Sequence, residues 1–346
     1  MCNKKIEKKG KKKTIISVIK SPFIFLVKWR PFPLYEMISY FLMFASVPLL
    51  AYESLDYNFE LIKILVFTEI TLYSAFFAAI IWNDITDAEI DAVVHPQRPI
   101  PSGRISKNNF FAIALFFSAT TFIFAFLVNI YCLAIVGFTA LFVAIHNKYL
   151  KKMIKIPAYS EIFTPLQWIS VVLFGYFAVW SNIPNTADII ISIPILGPIL
   201  INSHQLIPMI LLVIFTYFAD NSHDLVEGIH DVKGDKKLGV RTYATSFGEK
   251  TTKIISFGMF IFSGIIAIIL FVINVLSVFF IIPFIIFWLY TAYWPYKLMK
   301  IENFRLNMFS SIVGRKLFDY YLMTFNFIFL DVVLRLILNS LDLGFL

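Results

Sequence analysis

Long unbroken apolar runs alternate with short charged stretches along this chain, and the runs lack the period-two alternation of a half-buried strand. Nine of them approach 20 residues, at 35–52, 62–82, 109–128, 130–146, 159–180, 205–226, 254–273, 276–295 and 318–339. A helix of about 20 apolar residues crosses the roughly 30 Å of hydrocarbon in a bilayer. Helices and closed barrels are the structures that satisfy every backbone polar group there, and a barrel would show alternation. The expected fold is therefore all-α, a polytopic membrane bundle of about nine transmembrane helices around a central cavity. A shorter run, 189–201, contains Pro194 and Pro198 and is expected to lie at the interface or to re-enter.

Composition supports the same solvent. Charged residues make up 15% of the chain against about 25% in soluble proteins, and 59% of residues are hydrophobic. The 346 residues would allow two soluble domains, but the pattern argues for one transmembrane domain, 35–346, behind a basic arm and interfacial helix at 1–34. Within it, two pseudo-repeated four-helix halves, about 35–158 and 159–317, are followed by a last helix.

The net charge of +8 could indicate nucleic acid, but its distribution follows the positive-inside rule. If "MCNKKIEKKGKKK" is cytoplasmic, then so are loops 83–108, 147–158, 227–253 and 296–317, each with several Lys or Arg. The opposing loops 53–61, 181–204 and 274–275 hold none. The N-terminus is thus expected in the cytoplasm, with the arm on anionic lipid headgroups, no cleaved signal peptide and no nucleic-acid partner. Cys2 and Cys132 lie too far apart in depth to pair.

Against this background the acids in "NDITDAEID" are out of place. Asp84, Asp87 and Asp91 stand at i, i+3 and i+7, one helical face, while Glu89 falls off it. After the sixth span, Asp224, Glu227, Asp231 and Asp235 form a second stripe, whose first three members repeat that spacing. Clustered carboxylates at a low-dielectric boundary must take up protons or bind cations. Oxygen ligands without Cys or His select Mg²⁺ or a similar hard ion, whose shell is usually completed by water and substrate phosphates, so the inferred ligand is a diphosphate. Arg98, Arg104, Lys148, Lys151, Lys152, Lys236, Lys237 and Arg241 share those loops and can contact phosphate, or simply set topology. His95, His146, His223 and His230 show no zinc spacing and are expected to be ordinary polar groups. Asp331 and Arg335, at i and i+4, are expected to pair inside the last span.

These motifs resemble those of the UbiA superfamily of intramembrane prenyltransferases. Asn83, Asp84, Asp87 and Asp91 match Asn-Asp-x-x-Asp-x-x-x-Asp, and Asp231 with Asp235 match Asp-x-x-x-Asp. Arg98 to Gly103, "RPIPSG", and Gly239 to Thr242 are also similar, and Tyr149 and Lys151 in "NKYLKK" match a Tyr and a diphosphate-contacting Lys. In the archaeal-lipid and chlorophyll branches a further Asp or polar group commonly stands three residues before the first Asp of the second motif. Here that residue is Gly228, and Glu227 with Asp224 are expected to supply the missing charge from neighbouring positions.

The resemblance implies transfer of a polyprenyl group from a prenyl diphosphate to a lipophilic acceptor: a quinone precursor, a tetrapyrrole or a prenylglycerol phosphate. It implies Mg²⁺, two ions, held by Asn83, Asp84, Asp87 and Asp91 and by Asp231 and Asp235, with Asp224 and Glu227 as further candidates. Asn83, Arg98, Tyr149, Lys151 and Arg241 would contact the diphosphate. A terpene cyclase of the same superfamily would use the same metal site without an acceptor. A transporter would place its acids nearer the bilayer midplane. No protein partner is implied.

Overall fold

The structure, a computed structural model, describes residues 32–52, 59–94, 96–150, 153–180, 189–194, 196–201, 203–301 and 306–341. The arm to residue 31, most of the interfacial segment, Cys2, His95, Lys151 and Lys152 lie outside the described residues.

Among the described residues nine helices are long and apolar enough to cross a membrane. They are α1 (Leu34–Ala51), α2 (Phe59–Thr86), α4 (Lys107–Val128), α5 (Ile130–Ile145), α7 (Leu166–Trp180), α8 (Ser203–Leu238), α10 (Glu249–Val272), α11 (Val278–Met299) and α12 (Leu306–Ser340). Three short helices complete the set: α3 (Ala88–Val94), α6 (Tyr159–Ile162) and α9 (Tyr243–Phe247). A π-helical turn, His146–Leu150, extends α5. With this fold the chain is an integral, multi-pass membrane protein. Large apolar side chains such as Phe116, Phe138 and Leu289 are more than 60% exposed, which suits lipid rather than water.

Each spanning helix packs on its neighbour in sequence, and α12 returns to α1, so the nine close a ring. The fifth span, α7, also touches α1, α2 and α8. Alternate spans run in opposite directions, so the second and sixth, α2 and α8, end at the same membrane face. Close helix contact depends on small residues: a Cβ at Gly175 would lie 2.6 Å from Val47 Cγ1, and one at Gly264 would lie 2.2 Å from Trp288 Cε2.

Two elements differ from the apolar pattern. Residues 189–201 form an antiparallel hairpin, β1 (Ile189–Ile193) with β2 (Gly197–Ile201), and not a spanning helix. The β-branched run "IIISI" favours strand, Pro194 and Leu196 lie in the turn, and Gly197 opens β2 at φ +86°. The Tyr131 hydroxyl donates to the Pro198 carbonyl and ties the hairpin to α5. Further, α2, α8 and α12 extend beyond the apolar runs that reveal them. The helix α8 continues to Leu238, well past residue 226, because hydropathy marks only the lipid-facing part of a helix.

The internal pair in the last span forms as expected. Arg335 Nη2 is 3.0 Å from Asp331 Oδ2, and Asp331 Oδ1 accepts the Ser277 N–H at 3.0 Å, so the pair also caps the start of α11.

Candidate active site

The first acidic stripe forms where α2 gives way to α3. Helical hydrogen bonds continue through the break, from Asp87 N to the Asn83 carbonyl at 2.9 Å and from Asp91 N to the Asp87 carbonyl at 2.8 Å. The stripe keeps its i, i+3, i+7 order although Asp87 itself leaves the helix. Asp84 and Asp91 are 2% and 3% exposed, whereas Asp87 is solvent-accessible.

Arg98 is the cation that meets this stripe. Its Nη1 donates to both Asp91 oxygens, at 2.9 and 2.8 Å, and lies 3.9 Å from Asp84 Oδ1. The intervening "RPIPSG" segment supplies that geometry. Ser102 N bonds the Arg98 carbonyl at 2.9 Å and Gly103 N the Ile100 carbonyl at 3.0 Å, with Gly103 at φ +70°, where a side chain would be strained. Arg104 turns back onto its own loop, its Nη2 donating to the Gln97 carbonyl, and does not join the acids.

Asn83 bonds to a different element. The Asn147 side chain in the π-helical turn donates to Asn83 Oδ1 at 2.9 Å, and π-turns recur at functional sites. Beside this bond lies a cavity of about 160 Å³, lined by Asn83, His146, Asn147 and Thr164 among others. Tyr149 is half exposed, with Lys148 Nζ 5.0 Å above its ring.

The second stripe lies along one continuous helix, α8, as its spacing implies. Asp231 and Asp235 occupy the last turns, the Asp231 side chain 58% exposed. A Schellman closure ends the helix immediately afterwards: Val240 N bonds the Asp235 carbonyl at 2.9 Å and Gly239 N the Lys236 carbonyl at 3.4 Å, with Gly239 at φ +72°. Thr242 then caps α9 in a reciprocal box with Thr245. The Gly239 to Thr242 motif is thus a helix stop followed by a helix start, and the exposed Arg241 sits between them.

Two residues missed in the sequence reading belong to this region. Glu161, buried in α6 just before the fifth span, accepts the Tyr243 N–H, and a Cβ on Gly228 would lie 2.3 Å from its Oε1. The carboxylate beside the Gly228 position therefore comes from another helix, not from Asp224 or Glu227. Ser160 N bonds the Arg241 carbonyl at 3.1 Å, so residues 160–161 anchor the loop after the second motif. Burial, with Tyr217 and Glu161 nearby, pushes the Tyr243 phenol up. A lone acid in "AYSEIFTP" gives no periodic signal, and only its tertiary neighbours reveal it.

The other is Asp220, fully buried one turn before Asp224, whose i−4 spacing was the available signal. With it comes His223, which is not an isolated polar group: one ligand atom each from His223, Asp224 and Glu227 lie within 4.8 Å of one another. The structure thus brings together Asp84, Asp91 and Arg98 in one group and His223, Asp224 and Glu227 in another, on helices that both pack against α7.

Fold and site define a class: a polytopic membrane bundle carrying two sets of hard oxygen ligands at one end of its second and sixth spans. The UbiA prenyltransferase family matches residues 32–312, and the chain belongs to that family. Among characterised relatives, the digeranylgeranylglyceryl phosphate synthase of Sulfolobus acidocaldarius is 29% identical over 53% of this chain and 58% of that protein. That of Sulfurisphaera tokodaii is 30% identical over 50% of this chain and 54% of that protein. The chain spans about half the length of the curated relatives it matches. Among solved structures, the apo form of a UbiA homologue from Aeropyrum pernix K1 superposes with a TM-score of 0.62 at 17% identity, covering 86% of this chain and 98% of that one. A digeranylgeranylglyceryl phosphate synthase structure gives 0.54 at 19% identity, covering 85% and 92%. At these identities the likeness is one of fold.

Proposed function

We propose that this chain transfers a polyprenyl group from a prenyl diphosphate to a lipophilic acceptor within the membrane and releases diphosphate. The observation that carries this reading is that the buried Asp84–Asp91–Arg98 group and the pair Asp231 and Asp235 lie at the ends of α2 and α8, which reach the same membrane face. The ligand chemistry fits Mg²⁺, since carboxylate and amide oxygens suit a hard cation that keeps waters and phosphate oxygens in its shell. Asn83, Asp84, Asp87 and Asp91 would hold one ion, and Asp231 and Asp235 the other. Bound there, Mg²⁺ supplies positive charge where the departing diphosphate gains negative charge.

The protein's own groups have separable tasks. Arg98, held by Asp91 and still 31% exposed, presents its guanidinium to a phosphate, and Arg241 and Lys151 are further contacts. Tyr149 and Asn83 orient the same group. The apolar helices exclude water, which strengthens each electrostatic contact at the lip. An allylic cation left by ionisation is stabilised by aromatic faces, worth about 0.5–2 kcal/mol each. The reading further puts the N-terminus and the acidic lip in the cytoplasm and treats the helices as two related four-helix halves plus a last helix.

The similar proteins from S. acidocaldarius and S. tokodaii are digeranylgeranylglyceryl phosphate synthases, which makes a prenylglycerol phosphate the first acceptor to try. The test is one assay: purified protein, labelled geranylgeranyl diphosphate and Mg²⁺, with that acceptor, a quinone precursor, a tetrapyrrole or none, and products identified by mass. A prenylated acceptor with released diphosphate is expected. Unconsumed donor with every acceptor would overturn the proposal, and a cyclic hydrocarbon or alcohol without acceptor would identify a cyclase instead.

A further inference from the structure

Two helical turns before Asp231, about 10 Å along α8, lies a group of ligands unlike the oxygen sets at the lip. His223 Nε2 is 3.1 Å from Asp224 Oδ1, and Glu227 completes a trio whose ligand atoms lie within 4.8 Å of one another. Shifts of a few tenths of an ångström would bring these atoms onto one ion with bonds of about 2.0–2.2 Å.

A second observation is independent of that trio. Asp220 is 0% exposed, and among the described residues neither of its carboxylate oxygens has a hydrogen-bond partner. Its Oδ1 faces His223 Nδ1 at 3.4 Å, on the opposite side of the ring from Asp224. A buried carboxylate of this kind is costly unless it has a task. Ligating histidines almost always give their second N–H to a carboxylate or carbonyl, which fixes tautomer and ring orientation. Asp220, His223 and the Asp224–Glu227 pair stand in that order. The last helix holds them there: the His223 ring lies 4.9 Å from that of Phe318, and a Cβ at Gly314 would be 2.8 Å from Glu227 Cγ.

We propose that α8 holds a transition-metal ion on His223, Asp224 and Glu227, with Asp220 as a positioning residue that orients the imidazole through Nδ1. One imidazole with two carboxylates favours Mn²⁺, Fe²⁺ or Zn²⁺ over Mg²⁺. Asp224 and Glu227 then belong to this ion and not to the Mg²⁺ carried by Asp231 and Asp235.

The experiment is a Mn²⁺ titration of the full chain in lipid nanodiscs, stripped with chelator, without prenyl diphosphate, followed by pulsed electron paramagnetic resonance. Imidazole ligation gives a nitrogen coupling that oxygen-only sites do not. The coupling is expected in the natural chain, retained in the double variant Asp231→Asn/Asp235→Asn and lost in His223→Gln. Asp220→Asn is expected to weaken Mn²⁺ binding about 10–100-fold. No coupling at saturating Mn²⁺, or coupling that survives in His223→Gln, overturns the proposal. If His223→Gln fails to insert or fold, Glu227→Gln, at an exposed position, decides: at least tenfold weaker binding is expected, and unchanged affinity overturns the site. Binding is read without turnover, so failure here leaves the prenyl-transfer reading standing, and the reverse holds equally.

Discussion

At the scale of single residues, exposure separates acids whose loss should affect chemistry alone from those whose loss should also affect folding. Asp87 is exposed and the Asp231 side chain is 58% exposed, so Asp87→Ala and Asp231→Ala should each abolish turnover while changing stability by no more than about 0.5 kcal/mol. A variant that inserts normally and keeps a near-natural rate would remove that acid from the site. Asp91→Ala is different, because it strips Arg98 of its bidentate partner in a buried setting and should lower the melting temperature as well. Gly228 makes the complementary case. Gly228→Ala should cost about 1–3 kcal/mol, since the methyl group meets Glu161 Oε1 at 2.3 Å. In a double-mutant cycle with Glu161→Ala the two costs should fall well short of adding, and simple additivity would show that the contact carries no energy.

At the scale of elements, small residues set how closely helices approach. Gly264 lets α10 close on the indole of Trp288 in α11, a rigid group with little room to move. Gly264→Ala should therefore destabilise by about 1–3 kcal/mol, read as a lower melting temperature in nanodiscs, while donor affinity measured at the distant lip stays unchanged. Element boundaries were the least legible feature of the sequence. The apolar runs located every spanning helix, but the extensions of α2 to Thr86 and α8 to Leu238 are polar and carry Asp84 and the second stripe of the proposed site. Those extensions were readable only through the i, i+3, i+7 acid spacing. The hairpin at 189–201 escaped because a short Ile-rich run suits both an interfacial segment and a strand, and length alone does not choose between them.

At the scale of the molecule, parity of spans puts the ends of α2 and α8 on one face, and the proposal that this face is cytoplasmic rests on the basic loops. Cysteines placed by substitution in loop 227–253 should react with a membrane-impermeant thiol reagent only from the cytoplasmic side, and labelling from outside would invert the proposed orientation. Excess EDTA should reduce prenyl transfer to background and added Mg²⁺ should restore it, whereas undiminished rates in chelator would exclude a metal-dependent lip.

The sequence by itself determined the solvent, the number of spans, the family motifs and the faces on which their acids lie, because these follow from local periodicity and helix geometry. Only the tertiary structure decided that Arg98 reaches back to Asp91 and Asp84, that Glu161 occupies the space left by Gly228, and that Asp220 stands behind His223. The contact between residues 161 and 228 joins parts of the chain that no single helix carries. The Arg98 contact depends on a loop turned by prolines and a positive-φ glycine, and the value of Asp220 depends on its complete burial. None of these has a repeating local signature, so the pattern of side chains along the chain does not reveal them.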